Sequence, residues 1–139
     1  MRNELVLGVI AVMVLAFIGL SLTGVFSSTG NAAKNVDTGN HPVKEFTVQS
    51  YTETKDGKYF PTFSPKEMTV NKGDLVRIKI TNIKGMHDFK IDEFGVYTET
   101  PLNQEMTVEF VVDKAGSFEY YCTQPGHRQN GHWGTLNVL

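Results

Sequence analysis

Val76-Arg77-Ile78-Lys79-Ile80-Thr81 alternates apolar and polar residues without a break, and its reading decides the fold. Successive side chains of an extended strand point to opposite faces, so this segment predicts a strand with one buried and one solvated side. The same period of two continues outward in both directions. Upstream, Phe46 and Val48 alternate with Thr47 and Gln49, and Met68 and Val70 lead into Asn71-Lys72-Gly73-Asp74, a turn by composition. Downstream, Met106, Val108 and Phe110 alternate with Thr107 and Glu109, then Phe118 and Tyr120 with Ser117, Glu119 and Tyr121, and Leu136 and Val138 close the chain. No window after Glu45 has a helical period. Seven or eight short strands separated by turn signals predict an all-β, two-sheet β-sandwich over residues 45–139. A core of that size closes without disulfides but with little margin, and a bound metal would add stability by mass action.

The charge distribution divides the chain. Only Arg2 and Glu4 precede Lys34, and residues 5–26 carry no charge in 22 positions. As a helix this run would be roughly 33 Å long, enough to cross a hydrocarbon core of about 30 Å. The competing reading is a cleaved signal peptide, whose apolar region is normally about 7–15 residues; Asn31-Ala32-Ala33 makes a poor cleavage site. Residues 1–26 are therefore expected to be an N-terminal transmembrane helix, with a cleaved signal segment as the alternative. Orientation rests on Arg2 and the amino terminus, opposed by Glu4. Residues 27–44 are rich in Ser, Thr, Gly, Asn and Asp and contain Pro42, which predicts a flexible tether with His41 as a solvated linker residue. These segments place the folded part on the extracytoplasmic (periplasmic or extracellular) side of a cell membrane, or in the medium after signal cleavage. The net charge is −2 with Lys and Arg dispersed, so no basic run exists to hold a nucleic acid.

The remaining information lies around the single cysteine, which excludes an internal disulfide framework. In Tyr120-Tyr121-Cys122-Thr123-Gln124-Pro125-Gly126-His127-Arg128-Gln129-Asn130-Gly131-His132-Trp133-Gly134, histidines follow Cys122 at five and ten positions. His87 lies in Gly85-Met86-His87-Asp88-Phe89, beyond the 76–81 strand. A thiolate with imidazoles is a mixed soft and borderline donor set that suits copper, and zinc accepts the same donors. The alternative is a buried Cys122 acting as a small hydrophobe, with the histidines as ordinary loop residues. Against it, an unpaired thiol in an exported domain is exposed to oxidation unless buried or metallated.

The segment from Tyr121 to Leu136 resembles the C-terminal ligand loop of cupredoxins, the plastocyanin- and azurin-like small copper proteins, which often read Tyr-Cys-x-x-Pro-Gly-His-x-x-x-Gly-Met-x-Gly-x-Leu. Phe63-Ser64-Pro65, the stretch from Val70 to Val76, and Thr81-Asn82 are similar to the family's middle strands. The resemblance covers nearly all of 45–139. It implies a Greek-key β-sandwich carrying one copper ion, Cu(II)/Cu(I), on His87, Cys122 and His127. His132 stands where the family has its axial methionine. As an axial ligand it implies a lower reduction potential and a site drawn away from pure blue copper; the alternatives are a three-coordinate ion or a water in its place. Ile91-Asp92-Glu93-Phe94-Gly95-Val96 also resembles nitrosocyanin, a red-copper relative that has a carboxylate in place of His87 and a shorter Cys-to-His spacing. The family further implies that Asp88 bonds across to Thr123, the residue after the cysteine; the alternative for Asp88 is a solvated charge at a strand end. Pro125 and Gly126 shape the loop, and Trp133 is expected to pack at its base.

The leading functional expectation is a membrane-tethered electron carrier that exchanges single electrons with redox partner proteins through an exposed histidine edge, His127. The alternative is a copper enzyme or binder of nitric oxide, oxygen or superoxide. Copper storage fits less well, and a binuclear centre would need a second bridging cysteine. Residues 91–119 hold seven acidic residues against Lys114 alone, either a patch that steers a basic partner or a set of solvated strand positions.

Overall fold

The computed structural model describes residues 39–139. Nine strands follow in order: β1 (Val43–Lys55), β2 (Lys58–Ser64), β3 (Glu67–Val70), β4 (Leu75–Lys84), β5 (His87–Ile91), β6 (Val96–Thr100), β7 (Glu105–Val111), β8 (Gly116–Tyr121) and β9 (Trp133–Val138). They form two sheets, ordered β2-β1-β4-β7 and β3-β9-β8-β5-β6. The chain changes sheets repeatedly, so most neighbours are not consecutive, and β1–β4 and β3–β9 pair in parallel across long separations.

The alternation in the sequence becomes the core between the sheets. Val76, Ile78 and Ile80 of β4 are fully buried, facing Phe89 and Ile91 of β5, Tyr120 of β8 and Leu136 of β9 in one cluster. Arg77 and Lys79 point outward and meet Glu45 and Glu109. The predicted turn at 71–74 is present: the Asn71 amide donates to the Asp74 carboxylate at 2.8 Å. Strands β1 and β2 are joined by Asp56 and Gly57, both with positive φ (52° and 71°), the two-residue turn whose twist matches antiparallel strands. The resulting hairpin places Ser50 and Thr52 of β1 opposite Phe63 and Pro61 of β2.

Four details differ from the sequence reading. Strand β1 begins at Val43, which pairs with Leu75, so Val43 and Lys44 belong to the sheet and not to the expected tether. His41 is half-buried, its Nδ1 2.7 Å from the Gly73 carbonyl, rather than solvated; the parallel docking of β1 on β4 brings the entering chain over the 71–74 turn. Residues 92–94 form a short 3-10 turn, Asp92–Phe94. Trp133 is 44% exposed instead of packed. It faces outward because β9 buries the alternate positions Gly134, Leu136 and Val138, and the Lys66 ammonium lies 5.5 Å from its ring.

Within the acidic region, Asp92 pairs with Lys90, Glu109 with Arg77 and Glu119 with Arg128. Three of the seven acidic residues are thus answered locally. Among the described residues no helix is long and apolar enough to cross a membrane. The candidate span at 1–26 and most of the tether lie outside the described residues.

Candidate metal centre

The four sequence-selected donors come together at one end of the sandwich. His87 is the first residue of β5 and Cys122 follows the last residue of β8, neighbouring strands of one sheet. His127 and His132 lie on the loop from β8 to β9. That loop is closed at its base, where the Cys122 amide donates to the His132 carbonyl at 3.1 Å, and is tightened by the His132 amide donating to the His127 carbonyl at 3.0 Å. One ligand atom from each of His87, Cys122, His127 and His132 lies within 4.8 Å of the others. His87 Nδ1 is 3.2 Å from His127 Nδ1, which is 3.5 Å from Cys122 Sγ.

The rings are held from behind. His87 Nε2 donates to the Lys84 carbonyl at 2.9 Å, with the Thr52 hydroxyl 3.2 Å from the same nitrogen, so Nδ1 carries the lone pair on the side facing His127. Gly85 makes this possible. Its φ is +109°, and a Cβ there would sit 2.6 Å from His87 Nε2 and 2.9 Å from the Thr52 hydroxyl. His132 is fully buried, with its ring 4.0 Å from that of Phe63 and 4.4 Å from that of His87. Its Nε2 is 3.1 Å from the Ser50 hydroxyl. Its Nδ1 is buried with no hydrogen-bond partner.

These features fit a soft-to-borderline metal ion. Buried polar atoms are nearly always satisfied, and an orphaned imidazole nitrogen beside a thiol and two further imidazoles fits the role of a metal ligand. Donor atoms 3.2 Å and 3.5 Å apart are close enough for His87, His127 and Cys122 to hold one ion together. Burial lowers the pKa of His87 and His127, and takes that of His132 down to about 3 with help from the neighbouring His87, His127 and Lys66. All three are therefore neutral lone-pair donors at neutral pH. Burial also raises the Cys122 thiol to about 11, so the thiol would lose its proton to the metal and not to water. A thiolate with three imidazoles favours copper over harder ions.

Asp88, 1% exposed, spans from β5 to the loop. Its carboxylate accepts the Thr123 amide at 2.6 Å and the Thr123 hydroxyl at 2.5 Å, with the Gln124 side-chain amide at 3.4 Å. The bond from Asp88 to Thr123 is therefore present, and Asp88 is not a solvated charge. It ties the residue after Cys122 to the residue after His87, and so fixes both donors relative to each other. Ser50, Thr52 and Gly85 were not singled out from sequence. The available signal was that the inward positions of β1, apolar at Phe46 and Val48, continue as hydroxyls at 50 and 52.

The shifted histidines make the metal-free protein acid-sensitive. In the unfolded chain His132 takes up a proton near pH 6.5, but in the fold only near 3. The unfolded state therefore binds more protons between these values, and stability is complete above about pH 6.5 and lost as pH falls toward 3. His87 and His127 act in the same direction. Denaturant titrations of metal-free protein at pH 7 and pH 4 are expected to differ by a few kcal/mol; equal midpoints would contradict the buried, neutral state of these rings.

A family model of the cupredoxin-like domain matches residues 14–133, and the chain belongs to that family. It is 34% identical over 107 residues to the nitrous-oxide reductase of Stutzerimonas stutzeri, covering 70% of this chain and 16% of that protein. It is 35% identical over 71 residues to the nitrous-oxide reductase of Cupriavidus necator, covering 48% of this chain and 11% of the relative. The chain thus corresponds to a small part of these curated relatives. Among solved structures, a copper nitrite reductase from Nitrosomonas europaea superposes with a TM-score of 0.56 at 20% identity, covering 69% of this chain and 41% of that one. A multicopper oxidase that functions in iron import gives 0.55 at 20% identity, covering 69% and 23%. At that identity both speak to the fold.

Proposed function

We propose that this chain is a mononuclear copper protein that transfers single electrons on the extracytoplasmic side of a membrane, with residues 1–26 as its anchor. The observation that carries the reading is the convergence of His87, Cys122, His127 and His132, with His132 Nδ1 buried and unpartnered. When bound, copper would supply the Cu(II)/Cu(I) couple. The protein's part is to keep the donors in one arrangement for both states. The Lys84 carbonyl and Thr52 hold His87, Ser50 holds His132, and Asp88 holds the start of the loop carrying Cys122. His127, only partly buried, offers the ring edge through which electrons reach a partner protein. The test is the full-length chain loaded with copper: one copper per chain, reversibly reducible, supports the reading, and failure to retain copper sinks it.

His132 is expected to set colour and potential. An imidazole donates more strongly than a thioether and favours the oxidised ion. His132→Met should therefore raise the reduction potential and move the spectrum toward the blue type. An unchanged potential and spectrum would remove His132 from the ligand set.

The anchor has its own test. Full-length protein should stay with membranes through a high-salt wash, because an inserted helix does not depend on charge pairing. Recovery of a soluble form shortened at its N terminus would show that residues 1–26 are a signal peptide.

A second reading, a copper enzyme or small-ligand binder, is favoured by one feature. A cavity of about 430 Å³, bounded by Thr52, Tyr59, Lys84, Met86 and Asn130 among others, reaches His127. A change in the copper spectrum on adding nitric oxide, at a concentration that leaves partner-driven electron transfer intact, would favour it.

A further inference from the structure

We propose that Ser50 is a positioning residue that decides whether His132 serves the metal: its hydroxyl engages Nε2 and thereby turns Nδ1 toward the other three donors. This rests on the reading of His132 as a ligand, and the experiment below separates the two.

Ser50 is fully buried, at an inward position of β1 where the preceding inward residue, Val48, is apolar. A hydroxyl there costs stability unless it is bonded, and it lies 3.1 Å from His132 Nε2. The pairing of β1 with β4 shifts register between Ser50 and Tyr51. Such irregularities re-aim side chains near sites.

The His132 ring is bounded by the Phe63 ring, the His87 ring and the Ser50 hydroxyl. Its two flat orientations differ by a half-turn about Cβ–Cγ, which exchanges Nδ1 with Cδ2 and Nε2 with Cε1. Only one of them places a nitrogen against Ser50. In that orientation the remaining nitrogen is the buried, unpartnered Nδ1. A hydroxyl pairs with Nε2 whether it donates or accepts, so the burial of Nδ1 is what selects the tautomer. With the proton on Nε2 it is bonded to Ser50 and Nδ1 keeps a lone pair; with the proton on Nδ1, a buried N–H would be orphaned, the costlier arrangement.

His87 is secured differently. Thr52 shares its nitrogen with the Lys84 carbonyl, so loss of the Thr52 hydroxyl leaves a partner in place. His132 has the Ser50 hydroxyl, 3.1 Å from Nε2, as its close hydrogen bond, and the Thr62 backbone adds only the weakest of the interactions around the ring, which makes Ser50 the sensitive position of the two.

The experiment uses the full-length chain loaded with Cu(II), comparing wild type, Ser50→Ala, Ser50→Thr and His132→Ala by electron spin resonance and visible absorption. Ser50→Ala is expected to shift both signatures toward those of His132→Ala and to weaken copper binding by about 10–100-fold. Ser50→Thr keeps the hydroxyl and should retain the wild-type signature. A wild-type signature in Ser50→Ala, alongside a changed one in His132→Ala, overturns the role of Ser50 alone. A wild-type signature in His132→Ala overturns the ligand reading and this proposal with it. Should Ser50→Ala not fold, nitrogen-15 spectra of the metal-free wild-type chain decide: the Nε2–H tautomer of His132 supports the proposal, and the Nδ1–H tautomer overturns it.

Discussion

Cys122→Ser is expected to abolish the intense thiolate-to-copper absorption of the copper-loaded chain completely. Cys122 is the only cysteine in the sequence, fully buried, with Sγ 3.5 Å from His127 Nδ1. No other side chain of the site can supply a sulfur anion. Without metal, burial holds the thiol at about 11, so it is protonated at neutral pH. Copper binding by wild type should then release about one proton more than binding by the serine variant, because a serine hydroxyl stays protonated. Visible absorption and proton release in weak buffer measure the two effects independently. Persistence of the absorption in Cys122→Ser would remove the whole ligand assignment, since His87, His127 and His132 alone give no such band.

Phe63→Ala should have the largest effect on stability. Phe63 is 1% exposed and touches three rings: Phe89 at 5.6 Å, Tyr120 at 5.6 Å and His132 at 4.0 Å between centroids. Truncating a buried phenylalanine costs about 3–5 kcal/mol through lost transfer energy and the cavity left behind. Whole domains are stable by only about 5–15 kcal/mol, so the variant is expected near the limit of folding. A matching fall in the denaturant midpoint of the metal-free protein, with an unchanged slope, would check it. A second consequence follows from the contact with His132. With the ring face uncovered, the imidazole gains freedom, and the spectrum of any copper-loaded variant should broaden. A cost below about 1 kcal/mol would mean that the aromatic cluster repacks around the gap.

The aromatic cluster joins the hydrophobic core to the metal centre, and this join was invisible in the residue order. Phe63 and His132 are 69 positions apart, on a strand of one sheet and on a loop between strands of the other. The nearest-neighbour pattern showed only that Phe63 is apolar. The same limit applies to His87. Its distance along the chain from Cys122 allowed a shared site without requiring one, and it was selected by resemblance to cupredoxins. The structure places its Nδ1 3.2 Å from that of His127.

What the sequence determined by itself was local. Alternation at 76–81, 106–110 and 117–121 specifies half-buried strands, because side-chain direction in a strand depends only on position along it. Cys122, His127 and His132 declared themselves as a group because one short loop holds all three. The tertiary structure alone decided what depends on strands meeting across the chain. It set the parallel docking of β1 on β4, which draws in Val43 and anchors His41 on the Gly73 carbonyl. It turned Ser50 and Thr52 from polar interruptions of an apolar face into the groups behind His132 and His87. It also left Trp133 outside and Asp88 buried across the loop. The physical reason is the same in each case: alternation assigns a residue to a face, but only pairing between distant strands determines what that face meets.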